Sequence, residues 1–108
     1  MTCPVRINLT AWRDLEVLYT WISEHDSVSH ANYVLDQLVQ TVESIATFPN
    51  RGSRPRELHP KMKIDCRQVF FQSFRVIYEV RQTEVVIFLI ADGRRNLQQL
   101  LMRRLAEG

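Results

Sequence analysis

The sequence predicts an α+β fold, β-α-α-β-β-β-α, with a helical hairpin packed on a largely antiparallel four-stranded sheet. Three observations carry this expectation. Two amphipathic stretches with helical period follow one another in the first half. Three apolar, strand-like runs separated by two-residue turns occupy the second half. A short leucine-rich helical stretch follows the last of them. The 108 residues are 45% hydrophobic with only three glycines and four prolines, which fits one globular domain, 1–108, and excludes disordered and fibrous classes.

Val5, Ile7 and Leu9 alternate with Arg6 and Asn8, the period of a half-buried strand. Thr10 is placed to cap a first helix, with Asp14 and Glu16 near its positive end and Ala11, Leu15, Leu18 and Ile22 on one face. Glu24–Ser27 breaks that pattern. Ser27 or Ser29 then caps a longer helix carrying Val28, Ala31, Leu35, Leu38, Val42 and Ile45, which Phe48-Pro49 ends because a residue before proline avoids helical angles. Residues 49–63 hold Gly52 and five basic side chains without any period, so they form a loop, read most simply as a solvated connection. Strands are expected at Ile64–Phe71, Phe74–Val80 and Glu84–Ala91, turning at Gln72-Ser73 and Gln82-Thr83. The last is almost continuously apolar, as a central strand covered on both faces should be. Asp92-Gly93 closes it, and Asn96 caps a helix with Leu97, Leu100, Leu101 and Leu105 inward and Gln98, Gln99, Arg103 and Arg104 outward.

The net charge of +2 is unevenly spread. Residues 1–54 hold four arginines against six acids, whereas residues 55–108 hold ten basic residues against six acids. Twelve of the fourteen basic residues are arginine, the planar fork suited to carboxylate and phosphate, so the C-terminal half is the one expected to grip an anion. Cys3 and Cys66 show no CxxC spacing and are expected to be reduced thiols. His25, His30 and His59 are scattered, none with a partner at metal-ligand spacing, so neither metal nor cofactor is expected. Trp12 and Tyr19 are expected to pack beside the core stripe, an exposed tryptophan patch being the mark of a partner surface. No signal-like or membrane-spanning apolar run is present, and a cytoplasmic location is expected.

Three local patterns, in this order, resemble the RelE/ParE superfamily of bacterial toxins. The stretch from Ile45 to Leu58, IATFPNRGSRPREL, is similar to its aromatic-Pro then Arg-Gly signature. Cys66–Val80, CRQVFFQSFRVIYEV, resembles its arginine-bearing strand and aromatic-Arg-Val-Ile-Tyr strand. Val85–Leu101, VVIFLIADGRRNLQQLL, resembles its last strand, Gly-Arg-Arg corner and final helix. The resemblance implies the RelE-like fold and a type II toxin held in check by an antitoxin. It also implies one of two activities. RelE-like members cut mRNA on the ribosome; ParE-like members bind DNA gyrase and trap it on cleaved DNA without hydrolysing anything.

Cleavage of RNA needs a base, an acid and cations for the phosphate. By resemblance Arg75 and Arg95 occupy positions where the nucleases keep arginines, but Leu101 stands where they keep a tyrosine. The lysine pair of the nucleases falls near Cys66–Gln68, with only Arg67 cationic there unless a register shift brings in Lys61 and Lys63; His59 is the one candidate acid–base group. The favoured expectation is therefore a gyrase poison bound by a ParD-like antitoxin, with Arg67, Arg75, Arg94 and Arg95 as target contacts, no catalytic residue and no membrane. The alternative is a ribosome-dependent endonuclease acting through Arg75, Arg95, Arg67, Lys61, Lys63 and His59. Any one of these arginines can equally serve a structural ion pair, and Arg75 shares a strand face with Glu79.

Overall fold

Residues 3–107 are described by the computed structural model; Met1, Thr2 and Gly108, and with them the two ends of the expected 1–108 domain, lie outside the described residues. The elements follow in the expected order: β1 (Val5–Ile7), α1 (Leu9–His25), α2 (Val28–Thr47), β2 (Cys66–Phe71), β3 (Phe74–Val80), β4 (Val85–Asp92) and α3 (Gln98–Glu107). One sheet runs β1-β4-β3-β2, antiparallel except for the parallel β1–β4 pair.

Each face of the sheet is covered by a different layer. On one face Ala11, Leu15 and Ile22 of α1 and Ala31, Val34, Leu38, Val42 and Ile45 of α2 pack on Val69, Val76, Tyr78, Val85, Ile87 and Ile90. On the other, Leu58 of the long loop and Leu97 and Leu101 at the C-terminal helix pack on Cys66, Ile77, Val86, Phe88 and Leu89. Strand β4 is central and buried from Val85 to Ala91, which accounts for its unbroken apolar sequence. A register shift between Ile77 and Tyr78 leaves Phe88 without a β3 partner, so Phe88 and Leu89 turn to the same face.

Several local expectations change. Leu9 opens α1 and is exposed instead of ending β1, and Thr10 is not the cap. Asn8 is, but its side chain caps nothing because its Oδ1 accepts from Arg6 Nη1 at 2.9 Å. At α2 the cap is Ser27, whose Oγ accepts from the His30 amide at 3.0 Å; Val28 is exposed and Val34 belongs to the core. Asn96 behaves as expected, its Oδ1 accepting from the Gln98 amide at 3.1 Å. Strand β2 begins at Cys66, two residues later than the composition suggests. No helix among the described residues is long and apolar enough to cross a membrane.

The loop between α2 and β2 is built, not merely connecting. It starts on the hairpin side, where the buried Tyr78 hydroxyl donates to the Pro49 carbonyl at 2.9 Å and accepts from the Gly52 amide at 3.1 Å. A Cβ at Gly52 would lie 2.7 Å from both that hydroxyl and the Gln68 carbonyl oxygen, so the Arg-Gly pair is set by close approach. Ser53 then pairs with Gln68 along the free edge of β2, covering an edge that would otherwise invite a foreign strand. Beyond it the loop lays Leu58 on the opposite face, and Arg54 donates to the carbonyls of His59, Met62 and Ile64.

Candidate functional site

The structure separates the four arginines expected to act together. Arg75 lies at 4% exposure on the face away from the helical hairpin, because Val76 beside it points into the hairpin core. Its partner is Glu57, not Glu79. Nη1 donates to Glu57 Oε2 at 2.5 Å, Nη2 to Oε1 at 2.8 Å, and the guanidinium also bonds to Gln68 Oε1. Phe70 covers it, the ring centroid 6.0 Å from Cζ. Hydrogen bonding to Arg75 holds the Glu57 carboxyl below the usual carboxylate range, against burial, which pushes it up. Glu79 instead accepts from Arg81 at 2.9 Å.

Arg67 sits on the hairpin side of the sheet, half-buried. Its Nη1 donates to the carbonyls of Asn50 and Gly52 at 2.8 and 3.0 Å, and Nε pairs with Asp65 at 2.7 Å. It fastens the start of the loop and offers little of its guanidinium to a target.

Arg94 and Arg95 are the exposed pair. They follow Gly93, whose amide donates to the Ser73 carbonyl at 2.6 Å, and a Cβ there would lie 2.6 Å from Arg75 Cγ. The glycine thus lets the corner rest directly on the stem of the buried arginine. Arg94 folds back onto Asp92, pairing at 2.8 Å and keeping that carboxyl below its ordinary range. No hydrogen bond or ion pair engages the Arg95 guanidinium among the described residues.

The corner borders a groove of about 320 Å³ between α1 and α3, floored by Phe74 and Ile90 and walled by Val17, Leu18, Trp21 and Leu100. Val17 and Trp21 are 68% and 58% exposed, and Trp12 is also exposed, so the tryptophans lie at the surface instead of beside the core. The reason for the groove is the shortness of β1. Pairing with β4 stops at Ile87, and beyond it Asp14 of α1 accepts from the Ile90 amide at 3.0 Å while Arg104 of α3 donates to the Phe88 carbonyl at 3.0 Å. Asp14 and Arg104 join each other at 2.8 Å, closing the inner end of the opening. Asp14 is expected near a helix start and Arg104 on a solvent face, and their 90-residue separation leaves no local pattern to reveal the pair.

The remaining candidates are dispersed. Lys61 and Lys63 are exposed in the loop before β2 and do not enter the strand. His59 is exposed, its Nδ1 accepting from the Lys61 amide at 3.1 Å. Leu101 is fully buried in the core beside Leu58 and Leu97. Burial pushes the Tyr78 phenol up, and pushes the Cys66 thiol up to about 12, so neither ionises near neutrality. His25 stacks on Trp21 with centroids 4.3 Å apart, and His30 pairs with Asp26 at 2.6 Å. No group of His, Cys, Asp and Glu among the described residues could hold a metal ion.

Comparison with known proteins bears on the fold and the family. A curated relative, Toxin ParE3 of Caulobacter vibrioides, is 26% identical over 91 residues, spanning 84% of this chain and 87% of that protein. The solved chromosomal ParDE toxin-antitoxin system of P. aeruginosa contains a chain that superposes with a TM-score of 0.70 at 17% identity, covering 84% of this chain and 96% of that one; it shows the shared fold. The fold is that of the RelE/ParE superfamily of toxins. The family model for the ParE toxin of the type II toxin-antitoxin system parDE matches residues 5–97, and the chain belongs to that family.

Proposed function

We propose that this toxin acts by binding, as a poison of DNA gyrase, and that a cognate ParD-like antitoxin neutralises it. The observation that carries the reading is the state of Arg75. A nuclease would need this strand arginine to face a phosphate, and here both its edges are engaged by Glu57 and Gln68 at 4% exposure. Arg95 remains available beside the Asp92-paired Arg94, but two exposed cations without a nearby proton donor suit a contact surface better than a site for phosphate cleavage. Arg94 and Arg95 are the target contacts in this reading, and Arg67 and Arg75 hold the frame behind them.

The groove beside the corner supplies the regulatory half. Its apolar walls and cationic rim match an amphipathic, acidic segment that orders on binding, with apolar side chains over Trp21 and Leu18 and a carboxylate toward Arg95. Antitoxin and target would then compete for the same two arginines.

Induction in bacteria tests this. Replication is expected to stop while translation continues on intact mRNA, and co-expression of the antitoxin should restore growth. Arg94→Ala/Arg95→Ala should lose toxicity at unchanged abundance. Arrest of translation with cleaved mRNA, abolished by changes at His59, Lys61 or Lys63, would instead establish the ribosome-dependent endonuclease.

A further inference from the structure

Formal charge is divided between the two faces of the sheet. The α1–α2 hairpin carries Arg13 against Asp14, Glu16, Glu24, Asp26, Asp36 and Glu43. The opposite face is covered by the 49–63 loop and α3, as the packing of Leu58, Met62, Leu97 and Leu101 shows. Arg51 stays on the hairpin side, bonded to Ser44 of α2, and the rest of the loop holds Arg54, Arg56, Lys61 and Lys63 against one acid, Glu57. Glu57 is buried and paired with Arg75; of the exposed cations beside it, only Arg56 also feels its charge, and Lys61 and Lys63 have no acid of the loop to meet.

Two further observations distinguish this face from an ordinary solvated connection. The loop is fixed: Arg54 is bonded to the carbonyls of His59 and Met62 in the loop and of Ile64 just past it, Ser53 pairs with β2, and Leu58 is in the core. Arg56, Lys61 and Lys63 nonetheless point to solvent, and Arg103 of α3 is exposed on the same layer. Cations carried on a fixed loop lower the ordering cost of gripping a polyanion, and the acidic hairpin behind them orients the molecule in the polyanion's field. The exposed rings Trp12, Trp21 and Tyr33 lie on the hairpin, Phe48 stands at its end just before the loop, and the loop itself holds no Phe, Tyr or Trp, only the imidazole of His59. Of the large exposed aromatics, Phe70 is the one on the strands of the basic side, whereas single-strand binders use several stacking rings.

We propose that the 49–63 loop, with Arg103, is a sequence-independent contact surface for the phosphate backbone of duplex DNA. This assignment is independent of the gyrase reading, since it concerns DNA alone. Contact through phosphates requires no base readout and releases condensed counterions, so its signature is steep salt dependence.

The test is fluorescence anisotropy of a labelled random-sequence duplex titrated with the full chain, without gyrase, over a series of salt concentrations. Dissociation constants on the order of 1–100 µM are expected, weakening with a log–log slope of about −3 if three or four phosphates are contacted. Arg56→Gln/Lys61→Gln/Lys63→Gln should flatten that slope by two or more, and Arg56→Glu/Lys61→Glu/Lys63→Glu should abolish binding. Because all three side chains are exposed, both variants should keep the parent circular dichroism and melting midpoint. Arg13→Gln, on the hairpin, should leave the slope unchanged. The proposal is overturned if the duplex is not bound, if the triple variants bind as the parent does, or if polyglutamate or single-stranded RNA binds more tightly than duplex DNA at the same salt.

Discussion

Glu57→Ala is expected to cost about 3–5 kcal/mol of folding stability, measured by urea denaturation at neutral pH, because it strands the Arg75 charge in the core. The two side chains are 8% and 5% exposed, so water cannot replace the lost carboxylate without opening the loop. The penalty belongs to the broken pair, not to the absence of charge. Glu57→Leu/Arg75→Met, which removes both charges at similar volume, should therefore be more stable than Glu57→Ala alone. The sign of the pH dependence follows from the depressed Glu57 carboxyl. A group whose folded pKa lies below its unfolded value of about 4.3 contributes fully above that value and loses its contribution as pH falls through the folded pKa. The gap between parent and Glu57→Ala should thus be constant around neutrality and narrow below about pH 4. A loss under about 1 kcal/mol, the ordinary worth of an exposed pair, would show that the ion pair is not the loop's anchor.

The second large effect is expected at Asp14→Ala. Its carboxylate receives two bonds from Arg104 and one from the Ile90 amide, joining α1, β4 and α3 where β1 has ended. Removing it leaves a backbone amide and a guanidinium without their acceptor in a half-buried site. The expected cost is about 2–3 kcal/mol. For a domain of this size that lowers the melting midpoint by about 10 °C. Amide exchange should quicken first at Ile90 and then across α3, while Glu16→Ala, two residues on and exposed, should change stability by less than about 0.5 kcal/mol. Equal losses at the two positions would mean that Asp14 acts only as a helix-surface charge.

Much of the fold was legible because it rests on local period. Alternation at Val5–Ile7, helical spacing through Leu15 and Leu38, and the unbroken run Val85–Ala91 each reflect which face is buried. The errors fall where a tertiary partner overrules a local preference. Thr10 lies inside α1, which starts at Leu9, where Asn8 pairs with Ile87 of β4, and Val28 is exposed while Val34 faces the sheet. The site was read less well for the same reason. All arginines look alike in a sequence, but Arg75 meets Glu57, Arg67 meets loop carbonyls, and Arg94 and Arg95 reach solvent. The one available signal was Glu57 itself, a single acid among five loop cations. A lone acid in that setting is a candidate for a buried partner elsewhere.

The arginines therefore divide into a frame, Arg67 and Arg75, and an exposed corner, Arg94 and Arg95, for which gyrase is the proposed target. The most direct measurement incubates purified toxin with gyrase, ATP and relaxed plasmid, then traps covalent complexes with detergent and protease. Supercoiling should fall as linear plasmid accumulates with toxin concentration, and antitoxin or Arg94→Ala/Arg95→Ala should abolish both effects. Unaltered supercoiling with no linear product, from toxin that arrests growth in cells, would contradict it.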